Sequence, residues 1–76
     1  MTGLEPAGPE QAALLADIHA AAFPPAEAWD AAAIAALLAA PGTAALRLGR
    51  DGMAMLRVAA DEAEILTLAV RPGARR

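Results

Sequence analysis

The spacing of apolar residues changes once along the chain, close to Gly42. Before this point apolar residues recur every three or four positions, as Leu14, Leu15 and Ile18 do, which is typical of a helix with one buried face. After it they alternate with other residues or form short continuous runs, which is typical of strands. The pattern therefore predicts an α+β chain in which helices come first and strands follow.

Proline and glycine residues delimit the first helix. Leu4 lies in a short lead-in that predicts a weak edge strand, broken by Pro6. Pro9 then favours a helix start, because proline fits the first helical position and acidic or amide residues follow it. The run Phe23-Pro24-Pro25 predicts the end of this helix, since proline cannot continue the backbone hydrogen bonding.

The second helix is predicted to begin at Asp30, whose carboxylate can accept a hydrogen bond from a free N–H two or three residues later. Trp29 before the cap and Ile34 inside the helix match a hydrophobic staple. Pro41-Gly42 predicts the end of the helix.

Strands are predicted for the rest of the chain. Thr43 to Leu48 has Ala44, Leu46 and Leu48 on one face, and Asp51-Gly52 within the turn Gly49-Arg50-Asp51-Gly52 is the signal of a hairpin. Met53 to Ala59 returns as a second strand.

A turn at Asp61-Glu62 leads to a last strand, Glu64 to Val70, which is apolar on both faces. Such a strand is expected in the centre of a sheet, covered on both sides. The predicted order is β(weak)-α-α-β-β-β, with a mostly antiparallel sheet.

Composition limits the chemistry. A chain of 76 residues holds at most one small domain, and without cysteine it has neither disulfides nor thiolate metal ligands. His19 is the one histidine, so no metal site is expected. We expect His19 to lie on the helix surface.

Charge is unevenly distributed. Five acids and no Lys or Arg precede Arg47, and the net charge of the chain is −3. This acidic first half argues against nucleic acid as a partner, whereas the basic end suits a small anion. No secretory signal is visible, and the apolar run from Ala31 to Ala40 is too short to span a bilayer. The expected location is the cytoplasm, without membrane association.

The element order, with Ala22-Phe23-Pro24 followed closely by Trp29 and with the segment from Asp61 to Pro72, resembles the first half of a GCN5-related N-acetyltransferase. It is most similar to the Rim type, the ribosomal-protein-alanine N-acetyltransferases. The resemblance implies that residues 1–76 are the amino-terminal portion of one acetyltransferase domain. This portion would stop before the glycines of the pyrophosphate loop and the helix that follows them.

The resemblance also implies a site for acetyl-CoA as co-substrate. The backbone of Leu68, Ala69 and Val70 would pair with the pantetheine arm, as an added strand does. Arg75 and Arg76 would be the first two positions of an Arg/Gln-x-x-Gly-x-Gly/Ala loop, whose glycines lie beyond the chain. The piece alone is therefore expected to be inactive.

The acceptor side is implied by position as well. Phe23, Pro24 and Trp29 lie on the connection that borders the acceptor in the family, and the acceptor would be a protein N-terminal amine. Glu64 stands where some members place a general base. A solvent-facing charge at a strand end is the alternative interpretation of Glu64, and no catalytic residue is assigned.

Two other functions remain open. The chain could be a stand-alone, non-enzymatic interaction module that recruits a partner strand through the edge of its last strand. It could also belong to an acetyltransferase of the same superfamily that acts on a small-molecule amine. In each case the exposed strand edge predicts self-association of the isolated chain.

Overall fold

The computed structural model of the chain describes residues 3–74. Its elements follow the predicted order and confirm the α+β class. They are β1 (Leu4–Ala7), α1 (Ala12–Ala22), α2 (Ala31–Leu38), β2 (Thr43–Leu48), β3 (Gly52–Ala59) and β4 (Glu62–Val70), with short 3₁₀ turns at Pro9–Gln11 and Pro72–Ala74.

The four strands form one antiparallel sheet in the order β1-β2-β3-β4. Within residues 3–74, β4 pairs with β3 alone, so the expectation that the last strand lies in the centre of the sheet is wrong. Its apolar character on both faces has another physical cause. One face of β4 packs towards the helices, and its other face belongs to an uncovered apolar surface that extends over the whole sheet.

Both helices cover the same face of the sheet. Leu15 and Ile18 of α1 and Ile34 of α2 are fully buried there. The strands meet them with two methionines and several small residues, which let the helices approach closely. The buried apolar strand residues are Ala7, Ala45, Met53, Met55 and Ala69.

The start of α2 is as predicted, whereas the helix ends at Leu38, before the predicted stop at Pro41-Gly42. The Oδ1 atom of Asp30 accepts a hydrogen bond from the backbone N–H of Ala33 at 2.8 Å, which confirms the N-cap. Beyond the helix, Gly42 has a φ of +83°, and a Cβ at this position would lie 2.5 Å from the carbonyl oxygen of Val58. Only glycine fits both requirements.

The face of each strand follows from the pairing, because residues directly opposite one another share a face. Ala45 points towards the helices, whereas the predicted apolar set of Ala44, Leu46 and Leu48 lies on the opposite side. We call this side the open face. Its members are Leu4, Pro6, Ala44, Leu46, Leu48, Gly52, Ala54, Leu56, Val58, Ala63, Ile65, Leu68 and Val70.

The two hairpin turns differ in length. Three residues, Gly49 to Asp51, join β2 to β3, and Gly52 is already paired with Leu48, which confirms the hairpin predicted at Gly49-Arg50-Asp51-Gly52. Ala60 and Asp61 join β3 to β4, where Ala59 is paired with Glu62. Ala60 has a φ of +56°, a conformation in which its Cβ is crowded.

Replacing Ala60 by glycine should therefore stabilise the chain by about 0.5–1 kcal/mol, because glycine adopts a positive φ without the steric cost. Urea unfolding of both proteins measures the difference. The matched control is Ala36→Gly, at an exposed position inside α2, which should cost about 1 kcal/mol. A loss of stability in Ala60→Gly would contradict the assigned turn.

Candidate functional site

His19 is buried at the centre of the molecule, with 1% of its surface exposed. It lies in the last turns of α1, and its ring reaches two other parts of the chain. Its Nε2 atom lies 2.9 Å from the hydroxyl oxygen of Thr67 on β4. Its Nδ1 atom lies 3.1 Å from the backbone nitrogen of Trp29, in the connection between the helices.

These partners determine the tautomer of His19. A backbone N–H can only donate, so Nδ1 must accept the hydrogen bond from Trp29 and carries no proton. The single ring proton of the neutral imidazole is then on Nε2, which donates to the Thr67 hydroxyl. Both ring nitrogens are satisfied, as buried polar atoms require.

Two aromatic rings stack on the imidazole. The Phe23 ring lies 4.2 Å from it, centroid to centroid, at an interplanar angle of 8°, and the Trp29 ring lies 4.9 Å away at 16°. Phe23 ends α1 and Trp29 precedes α2. The ring of His19 therefore holds both ends of the α1–α2 connection against β4.

The expectation of a surface position for His19 is wrong. The signal for burial was present in the sequence, since His19 follows Leu15 by four residues and precedes Phe23 by four, so that all three share one helical face. Thr67 was also missed. It lies two residues before Ala69 on the inward face of β4, and both are buried.

Burial lowers the pKa of the His19 imidazole below its ordinary value of 6.5, because the apolar surroundings disfavour the charged form. The geometry acts in the same direction. Protonation would place a new N–H on Nδ1, facing the N–H of Trp29. The folded chain therefore favours the neutral ring.

A β-bulge lies beside Thr67. Thr67 is opposite Met55, but the next paired residues are Leu56 and Ile65, so Leu66 is an extra residue in β4. Such a bulge interrupts the ladder and increases the local twist. Leu66 is half-buried and packs against the core, and the hydrogen bond from His19 to Thr67 anchors the strand next to it.

The section of β4 that follows the bulge exposes backbone groups along the outer edge of the sheet. The N–H of Arg71 donates to the carbonyl oxygen of Asp51 at 2.7 Å. Hydrogen-bonded and non-hydrogen-bonded pairs alternate along an antiparallel ladder, so the backbone of Ala69 points towards β3 and that of Leu68 points away from it. Leu68 thus directs its N–H and C=O towards the side of β4 on which no described strand lies.

Basic side chains lie at the end of this edge. The Nε atom of Arg71 donates to the carbonyl oxygen of Arg50 at 2.6 Å, which brings two guanidinium-bearing residues to the same end of the sheet. The short 3₁₀ turn Pro72–Ala74 follows. The predicted phosphate residues Arg75 and Arg76 lie outside the described residues.

Glu64 is exposed and forms an ion pair with Arg57, with 2.9 Å between Oε1 and the guanidinium nitrogen. It lies four residues before Leu68, about 13 Å away along an extended strand. The structure therefore does not bring this candidate base close to Leu68, whose backbone is expected to pair with the pantetheine arm.

The proposed acceptor residues lie in the α1–α2 connection. Trp29 is half-buried and Pro24 is exposed. Trp29 borders a shallow cleft together with the carboxylates of Asp17 and Asp30. An open surface lined by an indole ring and two carboxylates can attract a cationic amine.

Within residues 3–74, no group of three or more His, Asp or Glu side chains is arranged to hold a metal ion. Neither of the two described helices is long and apolar enough to cross a membrane. Comparison with known proteins finds no matching family model, no similar curated protein and no similar solved structure.

The lowered pKa of His19 predicts how stability depends on pH. The unfolded chain takes up a proton on His19 near pH 6.5, whereas the folded chain does so only at lower pH, so this contribution to stability is complete above pH 6.5 and falls as the pH decreases below it. Because one proton is involved, the free energy of unfolding can change by at most about 1.4 kcal/mol per pH unit. Urea unfolding between pH 5.5 and 7.5 measures it.

The matched control is His19→Gln, which cannot titrate. It should be less stable than the parent at pH 7.5 and should show little dependence on pH in this range, where ordinary carboxylates remain ionised. The same slope in both proteins would show that another group is responsible.

Proposed function

We propose that the chain is the amino-terminal portion of an acetyl-CoA-dependent N-acetyltransferase of the GCN5-related superfamily. The complete protein would transfer the acetyl group to an amine, of which a protein N-terminal amine of the ribosomal-protein-alanine type is the first candidate. The observation that carries the proposal is the edge position of β4, which is followed directly by Arg71.

The edge of β4 supports a role in holding an extended ligand. Leu68 directs its N–H and C=O away from β3, by the alternation that the hydrogen bond of Arg71 fixes. A pantetheine arm contains two amide groups and can pair with such an edge as a peptide strand does. In this arrangement Leu68 would make the direct backbone contacts, whereas Ala69 would mainly maintain the pairing with β3.

The end of the same strand supports anion binding. Arg50 and Arg71 bring positive charge to the end of the sheet at which β4 finishes. Arginine recognises phosphate through its planar set of donors. A pyrophosphate following the pantetheine arm along β4 would reach this end. Further N–H donors at a helix start would complete its site.

The cleft beside Trp29 supports the acceptor assignment. Asp17 and Asp30 would attract an ammonium group before it loses its proton. This cleft lies in the helical layer, so the acceptor would approach from the α1–α2 connection. A base nearer to Leu68 than Glu64 is then required, and the proposal assigns no catalytic residue.

Residues 1–76 alone should bind acetyl-CoA with a dissociation constant in the millimolar range or weaker. A few backbone hydrogen bonds contribute about 0.5–1.5 kcal/mol each, whereas association costs at least about 4 kcal/mol. A chain extended through a Gly-x-Gly loop and its helix, encoded after codon 76, should bind in the micromolar range. Isothermal titration calorimetry compares the two.

Within the extended chain, Leu68→Pro should weaken acetyl-CoA binding, because it removes an outward N–H without removing a bond to β3. Leu68→Ala is the control and should retain binding. Micromolar binding by residues 1–76, or equal binding by the two variants, would contradict the proposed site.

A non-enzymatic interaction module is the second candidate, and the same edge of β4 favours it. An incoming peptide strand would use the backbone of Leu68 as the pantetheine arm would. A reading frame that stops at codon 76, with no Gly-x-Gly sequence downstream, would favour the module over the acetyltransferase.

A further inference from the structure

The open face of the sheet carries no polar side chain. All thirteen of its residues are Leu, Ile, Val, Ala, Pro or Gly. The charged residues of the strands all have the opposite orientation and share the helix-covered side, near its margins. They are Glu5, Arg47, Arg57, Glu62 and Glu64.

This distribution is the reverse of that in a two-layer domain with one solvated sheet face. An antiparallel sheet that faces water normally alternates apolar residues towards the core with polar residues towards solvent. Here large apolar side chains are exposed instead. Leu4 is 66% exposed, Leu68 65% and Ile65 64%. Contiguous apolar surfaces of this kind mark places where another layer packs.

The shape of the open face suits a second copy of itself. β3 contributes Gly52 and Ala54, which form the floor of a hollow of about 140 Å³. Leucines of the neighbouring strands rise on either side of it. An apolar cavity of about 150 Å³ accommodates a benzene-sized group, so the hollow can accept a leucine side chain. Leu4, Leu46, Leu48, Leu68 and Val70 surround this floor.

In a two-fold symmetric interface the same surface of both copies is in contact, so that surface must be complementary to itself. The open face has exposed leucines and a hollow of leucine size side by side. It also contains no charged residue, so the net charge of −3 on each copy does not place like charges in direct contact.

The area is sufficient for a weak specific dimer. Four strands about 4.8 Å apart and about seven residues long, at about 3.3 Å per residue, give a face of roughly 19 by 23 Å. Two such faces in contact bury roughly 900 Å² if they are treated as flat rectangles. The side chains that protrude from them add further buried area. A specific interface requires about 1,000 Å².

We infer that the 76-residue chain forms a two-fold symmetric dimer in which the open faces of two copies pack against each other. The helices lie on the outside of this assembly, and the two sheets form its middle layers, about 10 Å apart as in other sheet-on-sheet packings. Pairing through the edge of β4 would leave the open face in water. The inference does not rest on the proposed acetyltransferase function.

Sedimentation equilibrium of the full chain tests the dimer. Twice the chain mass of 7.7 kDa is expected at tens of micromolar. The double variant Leu4→Glu/Leu68→Glu should sediment as a monomer, because it buries two charges per copy in the interface. The matched control Ala13→Glu/Ala36→Glu adds the same charge at exposed helix positions and should remain a dimer.

If the double variant does not fold by itself, urea unfolding of the parent chain provides a second test of the dimer. The midpoint of the parent chain should rise over a hundredfold increase in protein concentration, as for any dimer that unfolds to monomers. A monomer whose midpoint is independent of concentration would overturn the inference. A double variant that remains dimeric would overturn it too, since another surface would then hold the copies together.

Discussion

The ring of His19 connects three parts of a chain that has few large side chains to connect them. Most residues in α1 and α2 are alanine, which buries little surface, and only a few fully buried side chains are large. The imidazole compensates by making two hydrogen bonds and two stacking contacts at once. The ring must be neutral for this, because the backbone N–H of Trp29 can only donate and Nδ1 must therefore carry no proton. The end of α1, the connection to α2 and the inward face of β4 therefore depend on one protonation state.

Local signals in the sequence were sufficient for the elements and their ends. Asp30 caps α2 through an N–H three residues away, and Gly42 adopts the positive φ of the turn that leads into β2. Such features depend on neighbouring residues alone. The partner of His19, in contrast, lies 48 residues away in Thr67. No pattern of period 2 or 3.6 identifies such a pair, although the helical spacing of Leu15, His19 and Phe23 does indicate that His19 is buried.

The place of β4 in the sheet could not be predicted for a related reason. An apolar strand with two apolar faces has the same sequence whether it lies between two strands or at an edge beneath an uncovered surface. These cases differ in the side of the sheet on which the charged residues of the other strands lie. The charged residues of β1 and β3 share the helix-covered side with those of β4, and this becomes apparent only when the register is known. The open face is a property of the whole sheet.

The most direct test of this account is the side-chain NMR spectrum of His19, the one histidine of the chain. Long-range nitrogen–proton correlation at pH 7 should show a neutral ring with its proton on Nε2 and none on Nδ1, and this state should persist as the pH falls below 6.5. A ring that exchanges between tautomers and titrates near pH 6.5, as in an unfolded peptide, would contradict the central position assigned to His19.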